Sequence, residues 1–337
     1  MKHLEDMKHE LMCCTGCGYC KQHCQTLDIG GTETDSGRGR VFLAYGLLTG
    51  EITEDQSVVE ALQRCPLCGR CEQDCPSTIP ISDIIQTARR DLTAVLPAHR
   101  KMADDILDKG NPFGEQPVPT ARPGEGEIAF FAGCVSTYQT PELKEAALSV
   151  LEKLDLEPVM VDEICCGSPL ENMGRDNGQP PLLAERLAEA GMQTVLTACP
   201  SAVLTLRETP RFTVQHLTAF LAEQNLELVP LDGVLMYHDS SVLGRKLGIY
   251  DPPRQLLQQA GGFREFTENR KLALCCGGDL AFQAAFPDMA GEMARQVMDE
   301  AREQGAVVVT ADPHCYRHLK GHGEVLDIIQ VMDRCLQ

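Results

Sequence analysis

Eight of the 17 cysteines in this 337-residue chain fall into two runs of identical spacing. The spacing is C-x2-C-x2-C-x3-C, and a proline follows the second run. The first run comprises Cys14, Cys17, Cys20 and Cys24. The second run comprises Cys65, Cys68, Cys71 and Cys75. Because thiolates bind both zinc and iron–sulfur clusters, two complete four-cysteine sets indicate metal or redox chemistry.

The two runs resemble those of bacterial-type ferredoxins, which hold a pair of 4Fe–4S cubanes. In those proteins the fourth cysteine of each run binds the other cluster. The resemblance implies one cubane on Cys14, Cys17, Cys20 and Cys75. It implies a second cubane on Cys65, Cys68, Cys71 and Cys24. Structural zinc is the alternative, although zinc sites usually use separated C-x2-C pairs. Gln25 replaces the proline in the first run, a departure that touches no ligand, and Cys13 is predicted to be a bystander.

Composition and charge restrict the class of protein. Hydrophobic residues make up 43% and charged residues 23%, as in ordinary globular proteins. The net charge of −19 argues against binding to nucleic acid. The acidic start lacks a signal-like apolar segment and no apolar run is long enough to span a bilayer, so we expect a cytoplasmic protein. In that reducing compartment, an odd number of cysteines favours metal binding over disulfides.

In the first third of the chain the sequence predicts helices followed by a linker. A buried helix is predicted over residues 41–48, and helical sequence runs from residue 81 to 109 with a break at Pro97. Arg38 and Arg40 precede the first helix and are interpreted as structural or partner-facing, because the lysine of a phosphate-binding loop is missing. The Pro/Gly-rich segment 111–126 is predicted to link a domain of residues 1–110 to the rest.

The remaining sequence alternates between strand and helix patterns and repeats itself. Strands are predicted at 128–132, 158–161, 194–198, 234–238, 271–274 and 306–310. Helices are predicted at 142–154, 182–190, 200–206, 253–259, 289–303 and 313–319. The pattern predicts parallel sheets in two like domains, 127–230 and 231–337. The predicted fold class is therefore α+β overall, with a mainly helical ferredoxin-like domain followed by a duplicated α/β domain.

The other cysteines follow the same repeat. The first half carries a frame of Cys134, Cys165, Cys166 and Cys199, with Ala202 where a further cysteine would complete it. The second half carries Cys275, Cys276 and Cys315, with Ser241 and Asp312 at the other two positions. Because the carboxyl edge of parallel strands is where ligands bind in such folds, we expect both frames at strand ends.

The sequence leaves several alternatives for what these two cysteine frames bind. Four thiolates in the first frame could hold a further iron–sulfur cluster or zinc. Three thiolates with Asp312 or His238 could hold zinc, a cluster with an open iron, or nothing. Buried structural cysteine is the alternative, and it suffices for the lone Cys335. His238 is predicted either as a ligand or proton donor or as a hydrogen-bonded structural residue.

At these motifs the chain resembles the D-type subunit of heterodisulfide reductase and the iron–sulfur subunits of glycolate oxidase, glycerol-3-phosphate dehydrogenase and lactate-utilisation systems. Its marks are Cys165-Cys166-Gly167, Leu243-Gly244-Arg245, Cys275-Cys276-Gly277-Gly278 and Cys315-Tyr316-Arg317. The resemblance implies non-cubane 4Fe–4S clusters where a five-cysteine frame is complete. Ala202, Ser241 and Asp312 depart from that pattern.

Three functions follow as hypotheses. The first is an electron-transfer subunit that links a flavoprotein to a quinone, a membrane subunit at the inner face of the membrane, or a disulfide. The second is a thiol–disulfide reductase whose catalytic residues are Cys134, Cys165, Cys166, Cys199 and His238. The third is a zinc-stabilised scaffold.

Overall fold

A computed structural model describes residues 1–122, 128–175, 178–207, 209 and 211–337. The predicted linker 111–126 and the predicted domain start at residue 127 lie partly or wholly outside these residues. In the part of the chain described, no helix is both long and apolar enough to cross a membrane.

The N-terminal region is helical, and its helices bracket the two cysteine runs. They are α1 Lys8–Met12, α2 Gln25–Gly30, α3 Gly37–Thr49, α4 Gln56–Gln63, α5 Ile81–Asp91 and α6 Pro97–Lys109. Ser36 caps α3 by accepting a hydrogen bond from the Gly39 N–H (2.9 Å), so the glycine-rich segment begins the helix instead of leading up to it. The predicted break at Pro97 is present, because proline is tolerated in the first turn of a helix but not in its interior.

The first α/β half contains a three-stranded parallel sheet in the order β1-β2-β3. The strands are β1 Ile128–Phe131, β2 Thr194–Thr197 and β3 Thr213–His216. The helices are α7 Cys134–Tyr138, α8 Pro141–Lys153, α9 Ser168–Asn172, α10 Gln179–Glu189, α11 Pro200–Leu206 and α12 Leu217–Ala222.

The second half contains a four-stranded parallel sheet in the order β5-β4-β6-β7. The strands are β4 Leu235–His238, β5 Arg264–Glu265, β6 Val307–Thr310 and β7 Val325–Asp327. A π-helical turn, Ser241–Lys246, follows β4. The helices are α13 Asp251–Gln259, α14 Leu280–Ala285, α15 Pro287–Glu303, α16 Pro313–Lys320 and α17 Ile328–Cys335.

The predicted fold class is confirmed, and two predicted strands are wrong. Segment 158–161 makes only isolated bridges through Val159 and Met160, because the chain turns away towards the first Cys-Cys pair after two residues. Segment 271–274 begins inside a 3-10 turn, Arg270–Leu272, and its carbonyls accept hydrogen bonds from arginine side chains instead of from a neighbouring strand. The short strands β3, β5 and β7 and the last helix were not predicted.

One hydrophobic core joins the two α/β halves. Phe130 and Leu196 of the first sheet share a buried cluster with Tyr237 and Val309 of the second. Helix α17 packs on α8 of the first half, and its buried face contributes Met332 to this cluster. The halves are therefore docked rigidly, which brings their strand ends and cysteines together.

Candidate functional site

The first cubane set predicted from the sequence surrounds one cavity. Cys14, Cys17, Cys20 and Cys75 all line it. Gly16 and Gly18 have φ values of 68° and 86°, a left-handed conformation that lets the loop turn tightly between these cysteines. Arg38 supports the loop from outside by donating to the Gly16 carbonyl at 3.1 Å.

The second predicted set surrounds a neighbouring cavity. Cys24, Cys65, Cys68 and Cys71 line it. Gly37 lies between the two cavities, because a Cβ placed there would be 3.3 Å from the Cys71 sulfur and 3.5 Å from the Cys20 Cβ. The structure thus brings together the crossed sets, although the ligand role of each thiol remains a prediction.

The donor chemistry of both cavities fits an iron–sulfur cluster. Each set is made only of thiols, the ligands such clusters use. Among the described residues, no three or more His, Cys, Asp or Glu side chains are grouped so as to hold a single metal ion. The thiols therefore surround a volume instead of converging on one point. Burial raises the pKa of Cys20 to about 11 and that of Cys71 well above its usual value, so metal binding would displace protons.

Buried arginines hold the second run in place. Arg89 is buried and donates to the carbonyls of Leu62 and Cys65 and, across the interface, to Asn172 of the first half. Arg40 is also buried and donates to the carbonyls of Ala61 and Arg64. The structural interpretation of Arg40 therefore agrees with its contacts.

The first frame lies at strand ends, as expected. Cys134 begins α7 just after β1, and Cys199 precedes α11 just after β2. Cys165 and Cys166 occupy the loop before α9, and the Cys165 side chain contacts both Cys134 and Cys166. Gly133 permits the close approach of the two strand ends, because a Cβ there would lie 3.3 Å from the Cys199 Cβ. Four buried thiols are thus assembled, a donor set that fits a cluster.

Sequence reasoning missed Glu163 beside this frame. Its side chain is buried and accepts one hydrogen bond from the Thr137 hydroxyl at 3.2 Å. Its other carboxylate oxygen has no partner among the described residues. Burial raises its pKa to about 8. Its position two residues before the Cys-Cys pair is the sequence feature that could have identified it as part of the site.

The second frame is arranged differently. The Cys276 and Cys315 sulfurs lie 2.9 Å apart. Ser241 accepts a hydrogen bond from Arg245 at 2.8 Å. Asp312 caps α16 by accepting from the His314 N–H at 2.9 Å and also accepts from the Ser240 hydroxyl at 2.5 Å. The two residues that replace cysteines thus have partners of their own.

His238 lies beside the second frame. Its Nε2 donates to the Leu274 carbonyl at 3.1 Å, next to Cys275 in the chain. Its Nδ1 has no partner among the described residues. Burial lowers its pKa, which favours the neutral ring. The hydrogen bond positions the ring, and its predicted role as ligand or proton donor stays a prediction.

Contacts link the centres to one another. The side chains of Cys68 and Cys275 are in contact, which joins the second cubane cavity to the second frame. The His314 Nε2 lies 3.8 Å from the Cys199 sulfur, which joins the two frames. The Arg317 guanidinium interacts electrostatically with both Cys134 and Cys276. The thiol sites thus form one contiguous region.

A paired cluster-binding domain followed by two parallel α/β halves with cysteines at their strand ends defines an iron–sulfur protein. Comparison with known families agrees: residues 13–80 match the 4Fe-4S dicluster domain, and residues 128–207 and 235–320 match the cysteine-rich domain. The chain therefore belongs to the family of proteins that combine a 4Fe-4S dicluster domain with two cysteine-rich domains.

Two relatives match this chain over most of their own length. The chain is 29% identical to the D-type subunit of the dihydromethanophenazine:CoB–CoM heterodisulfide reductase of Methanosarcina acetivorans, over 97% of this chain and 94% of the relative. It is 25% identical to a probable glycolate oxidase iron-sulfur subunit of Bacillus subtilis, over 92% of this chain and 88% of the relative. The resemblance predicted from the motifs is confirmed.

A solved structure shows a similar fold. It is the crystal structure of a hypothetical protein from Helicobacter pylori, which superposes with a TM-score of 0.64 over 98% of this chain and 74% of that chain. The sequence identity is 12%, so the likeness concerns the fold.

Proposed function

We propose that this chain relays electrons within an oxidoreductase complex, from a flavoprotein partner through two cubanes to an acceptor at the cysteine-rich halves. The observation that carries the proposal is the contact between Cys68 and Cys275. It joins a predicted cubane ligand to a residue of the second frame. Bound clusters would supply one-electron oxidation and reduction at each cavity.

Two residues of this chain maintain that junction. Arg245 donates to the Cys68 carbonyl at 2.6 Å and to the Ala273 carbonyl at 2.9 Å, so it bridges the cubane loop and the second half. Gln25 exchanges two hydrogen bonds with the backbone of Cys275. Both hold the junction closed, which keeps the distance for electron transfer short.

The relatives support the choice of acceptor in this proposal. The names of the two relatives place them in heterodisulfide reductase and glycolate oxidase systems. For this chain we favour an acceptor at the first frame, where Cys134, Cys165, Cys166 and Cys199 would act on a disulfide. His238, which lies beside the second frame, would be the proton donor. The alternative is transfer to quinone as a subunit of a 2-hydroxyacid or glycerol-3-phosphate dehydrogenase. The net charge of −19 suits docking to a basic patch on a partner.

Metal analysis and EPR spectroscopy of the full chain, purified without oxygen, test the proposal. Two cubanes require about eight iron atoms per chain and low-temperature EPR signals after reduction. Zinc in place of iron, without an EPR signal, would contradict the proposal and favour the scaffold. Affinity purification from the native host should recover a flavoprotein, and the reduced protein should then turn over either a disulfide or a quinone analogue.

A further inference from the structure

The second frame contains a closely spaced pair of thiols. Cys276 and Cys315 are 39 positions apart in sequence, yet their sulfurs lie 2.9 Å from each other. The Cys276 thiol donates a hydrogen bond to the Cys315 sulfur across this distance. Both side chains are buried, so small thiols in the medium have little access to them.

The surrounding chain forces this approach. A Cβ on Gly278 would lie 2.8 Å from the His314 carbonyl and 3.1 Å from the Cys276 sulfur, so only glycine fits. The Gly278 N–H also donates to the Cys276 sulfur at 3.3 Å. Cys276 is thus held against the first turn of α16, where Cys315 lies.

The same frame fits a cluster poorly. The second frame has only three thiols, one fewer than the first frame and one fewer than each predicted cubane set. The positions that a fuller set would use are Ser241, bonded to Arg245, and Asp312, which caps α16. Cys275 contacts Cys68 of the second cubane cavity. Both replacements thus already have hydrogen-bond partners other than the thiols of the frame.

We propose that Cys276 and Cys315 are a redox-active pair that cycles between a dithiol and a disulfide and so stores two electrons. This inference rests on the proposed electron-transfer function. On reduction two electrons enter the S–S bond, the bond breaks, and each sulfur takes up one proton from the medium. On oxidation the bond forms again and two electrons and two protons leave.

Cubanes bound at the two predicted cavities would supply and accept these electrons one at a time. The structure contains a route: Cys68 of the second cubane cavity contacts Cys275, which adjoins Cys276 in the chain. The two cubanes would each carry one electron, so together they would match the two electrons that the Cys276–Cys315 pair takes up or releases. The pair would convert single electrons from the cubanes into the paired electrons that a disulfide or quinone acceptor requires.

Peptide mapping of the iron-loaded full chain tests the proposal. Samples are poised with redox mediators without oxygen, quenched in acid, alkylated and digested with trypsin. Cleavage after Lys271, Arg295, Arg302 and Arg317 places Cys276 and Cys315 on different peptides. We expect the two peptides to be joined in oxidised protein that retains its iron, and separate and alkylated after reduction. Absence of the joined peptides from oxidised, iron-loaded protein would overturn the proposal.

Variants separate a redox pair from a cluster site. Cys276→Ser should lose the joined peptides but keep the iron content and EPR signals of the wild type. The matched variant Cys166→Ser, at the equivalent position of the first half, should keep the joined peptides. Iron loss from Cys276→Ser by about four atoms, one cluster, would refute the pair. If Cys276→Ser fails to fold, the wild-type mapping still decides. Joined peptides in a protein without cubane signals would refute the proposed function and leave the pair intact.

Discussion

Gln25 holds the backbone of Cys275 from both sides. Its amide oxygen accepts from the Cys275 N–H at 2.7 Å, and its amide nitrogen donates to the Cys275 carbonyl at 3.2 Å. The residue that departs from the ferredoxin pattern is therefore the one that connects the first cysteine run to the second frame. The two residues are 250 positions apart, so nothing in the sequence indicated this contact.

Removing the Gln25 amide should weaken that junction. We expect Gln25→Ala to lower the free energy of unfolding by about 1–3 kcal/mol, because buried backbone groups lose their partners. Electron transfer out of the cubane domain should slow while both cubane EPR signals persist. Gln63→Ala is the matched control, since buried Gln63 donates to Met173 of the first half at 3.1 Å. Equal slowing in both variants would contradict a route through the second half.

The crossed ligand sets can be tested by pairs of variants. Cys14→Ser and Cys75→Ser should each remove the same cubane, about four iron atoms per chain, and leave the same EPR signal. Cys24→Ser and Cys65→Ser should remove the other. Cys13→Ser, at an exposed thiol, serves as the control and should keep all the iron. If Cys24→Ser instead matches Cys14→Ser, the sets are uncrossed.

The pH dependence of stability should change when Asp327 is neutralised. Burial raises the pKa of Asp327 to about 7, whereas the pKa of an aspartate in the unfolded chain is about 4. Between these values the folded state binds the extra proton, so this residue lowers stability as the pH rises through that window. Asp327→Asn keeps an oxygen for the Ile329 N–H. The variant should therefore be more stable than the wild type at pH 8, by an amount on the order of 2–4 kcal/mol.

Thermal unfolding at pH 5 and pH 8 measures this effect. The control is Asp55→Asn, an exposed cap of α4 whose pKa is lowered by hydrogen bonds from Ser57 and Val58. That variant should gain nothing at pH 8. A gain for Asp327→Asn that is the same at both pH values would rule out the titration of Asp327 as its cause.

Breaking the buried ion pair behind the second frame should be costly. Arg254 donates to both carboxylate oxygens of Asp239, at 2.8 and 2.7 Å, beside His238 and Ser240. Arg254→Met leaves that carboxylate buried without its cation, which should cost about 3–5 kcal/mol in urea unfolding. Arg295→Met removes an exposed pair with Glu292 and should change stability by less than about 0.5 kcal/mol. Similar losses in both variants would show that Asp239 does not depend on Arg254.

Local spacing was sufficient to predict the cluster loops and the fold class. Cysteines three residues apart predicted tight loops around a compact centre, and the structure gathers the two crossed sets around two cavities. Alternating strand and helix patterns likewise predicted two parallel halves. These features depend on residues close together in the chain, so periodicity and motif spacing are enough to predict them.

The contacts between distant cysteines and their neighbours depend on the tertiary structure. Gln25 and Cys68 both contact Cys275 because the cubane domain packs against the second half. Cys276 approaches Cys315 because the second half folds its Cys-Cys pair against the start of α16. Two-residue strands such as β5 are stabilised by pairing with a neighbour, and their own sequence carries little signal. From sequence alone Ser241 and Asp312 could be described only as missing cysteines. Their bonds to Arg245 and to the start of α16 depend on contacts that exist only in the folded chain.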